Sequence, residues 1–113
     1  MKFVRVYTGP DNQSHVEPYE PDFGERDGTR TALEGATGVM YAHRPDGGFI
    51  DYHPAPRLQY VLYLTASVEI GLGDGRSIVM EPGDVLRAED TSGQGHTSTI
   101  SQGGVCAFVP IAD

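Results

Sequence analysis

Short apolar or alternating runs are set between turn signals along the chain, and no stretch sustains the 3.6-residue period of a helix. Lys2 to Thr8 (KFVRVYT) predicts a first strand. Thr37 to His43 (TGVMYAH) predicts another, ended by the RPDGG turn at 44–48, and Phe49 to His53 a third, stopped by Pro54 and Pro56. Gln59 to Leu64 (QYVLYL) and Val68 to Leu72 (VEIGL) follow. The Asp74-Gly75 pair then marks a hairpin into Ser77 to Met80. Glu81-Pro82-Gly83-Asp84 is a turn with proline at its favoured position. Val85 to Ala88, a Gly/Ser-rich bend at 91–95, His96 to Ser101 and Val105 to Ile111 complete the series. Short strands at regular spacing predict an all-β sandwich or barrel.

Side chains alternate along a strand, so parity assigns faces. Phe49, Asp51 and His53 share one face, with Ile50 and Tyr52 opposite. Gln59, Val61 and Tyr63 lie together, opposite Tyr60, Leu62 and Leu64. Both faces of QYVLYL are apolar, which predicts cover on both sides: the interior on one, the N-terminal arm or a second subunit on the other. Residues 10–28 hold three prolines (Pro10, Pro18, Pro21), six acids and two glycines. Such a segment is expected to be an arm without a regular ladder. Tyr19 and Phe23 give it something to bury, and it is expected to cover a pocket mouth and bring His15 there as a ligand contact.

With 113 residues the chain is expected to be one domain, with a strand and arm over 1–30 and a barrel over 37–111. The net charge of −8 has no basic stripe, which argues against nucleic-acid binding. No apolar run approaches the roughly twenty residues of a membrane span. The N-terminus turns polar too early for a signal-peptide core, so a cytoplasmic location is expected. Cys106 is the only cysteine. It lies in the apolar run VCAFVPI and is expected to be a buried, inert thiol.

The stretch HPAPRLQYVLYLTASVEIGLGDG, followed by MEPGDVLRAEDTSGQGH, resembles the paired motifs of the cupin superfamily. The resemblance covers residues 53–96, and the opening FVRVYTG with Asp11 to His15 is similar to the start of small cupins. It implies a single small β-barrel, or jelly roll, with one pocket inside. Ala66 stands where the family has glycine, which puts Gln59 at its glutamate position. His53 is the only histidine near the first motif, with Asp51 where a paired one would stand, and His96 matches the second-motif histidine. The resemblance therefore implies a divalent-metal set of His53, Gln59 and His96, with zinc, nickel or iron as the ion. A metal-free site fits these residues equally well.

Two imidazoles, an amide and the acidic pair Glu89-Asp90 suit proton transfer, with one carboxylate as base or as the orienter of His96. Tyr63, Phe49 and Arg57 are expected to contact the ligand. The function expected is a small cupin enzyme acting on a small organic molecule by isomerisation, epimerisation, cyclisation or elimination. The alternatives are an iron-dependent dioxygenase and a non-catalytic binding barrel. A homodimer is expected, because one small barrel would otherwise expose too much apolar face.

Overall fold

The computed structural model describes residues 1–112, and among them there are strands and turns but no helix. The strands are β1 (Phe3–Thr8), β2 (Ser14–Pro18), β3 (Met40–Arg44), β4 (Phe49–His53), β5 (Gln59–Tyr63), β6 (Ser67–Gly71), β7 (Ser77–Met80), β8 (Val85–Glu89), β9 (His96–Gln102) and β10 (Gly104–Pro110). They form a six-stranded sheet ordered β2-β1-β8-β5-β10-β3 and a four-stranded sheet ordered β4-β9-β6-β7. Strands β1 and β8 run parallel; the other neighbours are antiparallel. No helix of the described residues is long and apolar enough to cross a membrane.

The predicted alternation holds on β5, where Gln59, Val61 and Tyr63 are buried and Tyr60 and Leu62 lie on the other face. One core joins the inner faces of both sheets: Val4, Val6, Val61, Leu86 and Cys106 from one, Val68, Ile70, Met80 and Ile100 from the other. Each such aliphatic side chain contributes about 1.5–3 kcal/mol on full burial. The Asp74-Gly75 turn closes the β6–β7 hairpin, with Gly75 at φ +89 and the Leu72 N–H bonded to the Arg76 carbonyl at 2.9 Å.

The arm departs from expectation in two ways. Ser14–Pro18 does form a ladder, pairing with β1 from Thr8↔Ser14 to Val4↔Pro18. Proline is tolerated there because β2 is a sheet edge, where no further strand needs the missing N–H. The turn into it is held by Gly9 N–H to the Gln13 carbonyl at 2.9 Å and by Asn12 at φ +63.

The remainder of the arm crosses the outer face of the six-stranded sheet. Tyr19 sits edge-on against Phe3 with centroids 5.8 Å apart. Tyr19, Phe23, Leu33 and Glu34 flank a groove floored by Phe3, Tyr60, Leu62 and Val85. The second apolar face of β5 is thus met by the chain's own arm. Glu34 bonds the Tyr60 hydroxyl and pairs with Arg87 at 2.9 Å, pinning the crossing. Burial and that carboxylate push the Tyr60 phenol up to about 12.

Candidate functional site

Between the sheets lies a cavity of about 350 Å³. Its walls are mainly apolar, and its polar groups come from His53, Arg57, Gln59, Tyr63, His96, Ser98, Arg44 and Cys106. None of residues 10–28 lines it. The arm is therefore not its cover, because its aromatics are used against the outer face of the sheet.

The two histidines are set opposite each other by the β4–β9 ladder, in which His53 pairs with His96. The ring centroids stand 4.8 Å apart, with the planes inclined by 53°. Three steps along β4, from Ile50 to His53, match two along β9, from Ser98 to His96. That extra residue is a bulge, and it turns Ile50 and His53 to the same side. Strict parity had put Phe49 with His53. The bulge instead leaves Phe49 60% exposed, so it is not a cavity contact. Gly95 permits the close approach: at φ +79, a β-carbon there would lie 2.0 Å from the His53 carbonyl carbon and oxygen.

Each ring is held at Nδ1. His53 Nδ1 lies 2.8 Å from the Asp51 carbonyl oxygen, and His96 Nδ1 lies 2.6 Å from Asp90 Oδ2. Both partners only accept, so in the neutral rings Nδ1 carries the proton and Nε2 is left as the basic nitrogen. Asp90 is completely buried, and its Oδ2 also accepts a 2.6 Å bond from the Ser14 hydroxyl. Its Oδ1 has no hydrogen-bond partner among the described residues. These are the residue types of a nucleophilic triad, but here the serine donates to the carboxylate and not to the imidazole. Ser14 therefore orients Asp90, and Asp90 orients His96.

Alternation splits the acidic pair. Ala88 and Asp90 point inward, while Glu89 points outward to Arg5 at 3.0 Å and Arg87 at 2.7 Å. Glu89 thus belongs to the outer ion-pair network and not to the site. His15 is also placed elsewhere, stacked on Tyr7 with centroids 5.7 Å apart and bonded to Asp11 at 2.9 Å. On edge strand β2 it is Ser14, one residue earlier, that points in.

Gln59 is 3% exposed, and its Oε1 lies 3.3 Å from Arg57 Nη1. Tyr63 lines the cavity, and burial pushes its phenol well up. Burial also pushes the Cys106 thiol up, against the lowering effect of Arg44, which keeps it a thiol. The implied metal set fits a divalent ion poorly. Its two imidazoles come together, but the amide oxygen is directed to a guanidinium and no carboxylate lines the cavity among the described residues. No group of three His, Cys, Asp or Glu is gathered for a metal among those residues.

Ser14 and Arg44 are the contributors that the sequence reading passed over. Reading 14–18 as a strand would have turned Ser14 inward by parity, and Arg44 was hidden in the RPDGG turn. In comparison with known proteins, no family model and no curated protein matches the chain.

Proposed function

We propose that the chain is a small cupin-like barrel, a jelly roll, that moves a proton on a small organic molecule bound between its sheets. The observation that carries the reading is the imidazole pair. Two rings stand side by side in an apolar cavity with both Nδ1 positions engaged and both Nε2 positions left basic. That the histidines taken from the two motifs meet across one ladder supports the cupin reading.

In this mechanism the neutral His53 or His96 removes a proton through Nε2 and, as the imidazolium so formed, returns that proton at a neighbouring position, directly or by way of the other ring's Nε2. The Asp90 carboxylate stabilises the imidazolium of His96 as it forms, and the Asp51 carbonyl holds the tautomer of His53. The mainly apolar walls lower the local polarity, which strengthens these interactions. Isomerisation, epimerisation, cyclisation and elimination all share this step. The reading needs no resident metal, in keeping with the engagement of Gln59 by Arg57. For the same reason an iron-dependent dioxygenase is the weaker reading.

The test is hydrogen exchange. Small 2-oxo acids and β,γ-unsaturated acids are incubated with the protein in D2O and followed by proton NMR, before and after treatment with a chelator. Chelator-resistant exchange is expected, slowed about 10²–10⁴-fold by H53N or H96N. Binding without exchange for every compound would leave a non-catalytic binding barrel. Exchange that needs added zinc, nickel or iron would restore the metal reading.

A further inference from the structure

The chain carries sixteen acids against eight bases, yet two arginines, Arg44 and Arg57, line the cavity and no Asp or Glu does among the described residues. Arg5, Arg76 and Arg87 all pair with carboxylates. Arg26, Arg30, Arg44 and Arg57 have no carboxylate within ion-pair distance among the described residues, and of these four only Arg44 and Arg57 line the cavity. In so acidic a chain, two guanidinium groups kept free of acids at one cavity make it a site for negative charge.

We propose that the cavity takes a compact organic monoanion, an apolar body carrying one carboxylate, and that Arg57 holds the carboxylate beside the imidazole pair. The proposal deepens the proton-transfer reading, whose cavity it shares. Arg57 is anchored by a single bond from Nη1 to the buried Gln59 amide, which leaves most of its five donors for a ligand. A planar fork with free donors matches a carboxylate in two-point contact. Gln59 pairs with Ala88, two residues before Asp90, so Arg57 stands at the histidine end of the cavity.

Arg44 stands elsewhere. It pairs with Gly104 on β10, whereas Gln59 pairs with Pro110 on the same strand. That register sets the two attachment points about 20 Å apart along β10, so the two arginines enter the cavity from opposite ends. The Arg44 guanidinium also lies over the Phe108 ring, 5.2 Å from its centroid. The walls between are Val61, Ile70, Leu86 and Ile100, which suit a hydrocarbon body. The volume of about 350 Å³ lies at the small end of ligand sites and favours one ring or a short chain.

The probes are benzoate, phenylacetate and hexanoate, each compared with its primary amide by calorimetry on the intact protein at neutral pH. Charge-assisted bonds imply that the acids bind about 10- to 100-fold more tightly than the amides. In R57Q the acids are expected to fall to the level of the amides, while R44Q keeps the preference. Equal binding of acids and amides would overturn the proposal. So would a preference that survives R57Q, one lost in R44Q instead, or no acid binding at about 1 mM. The doubly substituted H53N/H96N protein is expected to retain the acid preference. Retained preference without exchange in the wild type would sink the proton-transfer reading alone, and exchange of neutral compounds without acid preference would sink this one alone.

Discussion

Replacing Ser14 by alanine removes one hydroxyl, and the structure makes that hydroxyl costly. Its only recorded bond runs 2.6 Å to Asp90 Oδ2, linking the N-terminal hairpin to the acid behind His96. Ser14 is 3% exposed and Asp90 wholly buried, so bulk water cannot take the vacated place. A hydrogen bond to a charged group is worth about 1.5–3 kcal/mol. Since Asp90 Oδ1 has no partner among the described residues, the loss should fall in the upper part of that range. Against a total stability of about 5–15 kcal/mol this is a large fraction, and it corresponds to a fall in Tm of roughly 10 °C for a domain of this size. The assay is urea unfolding followed by far-ultraviolet circular dichroism, on wild type, S14A, D90N and the double variant. With the charge gone in D90N, the serine bond becomes a neutral one worth about 1 kcal/mol, so a coupling of about 1–2 kcal/mol is expected. A change in S14A within about 0.5 kcal/mol, the size of a surface substitution, would refute the argument. So would strict additivity with D90N.

Three further outcomes are expected. Gly95→Ala should cost about 2–5 kcal/mol, from its positive φ and the overlap with the His53 backbone; an unchanged urea midpoint would show that β4 shifts freely. The Asp84 carboxyl is held below its ordinary range: burial opposes this, but bonds from the Lys2 ammonium at 2.6 Å, the Glu81 N–H and the Lys2 N–H outweigh it. A folded pKa below the unfolded one means stability that is complete above the ordinary carboxylate range and lost as pH falls through the folded value. D84N should therefore flatten the acid limb of a stability–pH curve, and an unaltered limb would assign it to other groups. Finally, edge strand β3 and its approach expose Val39 (57%), Met40 (45%) and Tyr41 (70%), so a dimer is expected by light scattering at tens of micromolar, with Y41K monomeric. A monomeric wild type would show that this face stays in solvent.

Much of the architecture was legible because it depends on neighbours in the chain. Alternation placed Gln59, Val61 and Tyr63 inward on β5, and the Asp74-Gly75 and Glu81 to Asp84 turns marked the strands around them. The inward His96 and the buried Cys106 followed from their runs. Where the reading failed, a local rule met a contact it could not contain. The bulge between Ile50 and His53 breaks parity because β4 must keep step with β9, so Phe49 faces solvent and Ile50 the cavity. The proline-flanked segment 14–18 is a strand because β1 offers it an edge.

By itself, then, the sequence determined an all-β chain, nine of its ten strands and the histidines to watch, because period and turn chemistry act over a few residues. Tertiary structure alone decided which side chains meet. Ser14 and Asp90 are 76 residues apart in the chain yet share a hydrogen bond. Adjacent Glu89 and Asp90 go to opposite faces, one to the outer arginines and one to His96. The arm's aromatics turned to the outer sheet face and not to the cavity, since the apolar surface of Tyr60 and Leu62 was there to be covered. The physical reason is common to all three. Which partner satisfies a buried polar group or an apolar face is set by sheet order and register, and those depend on every strand at once.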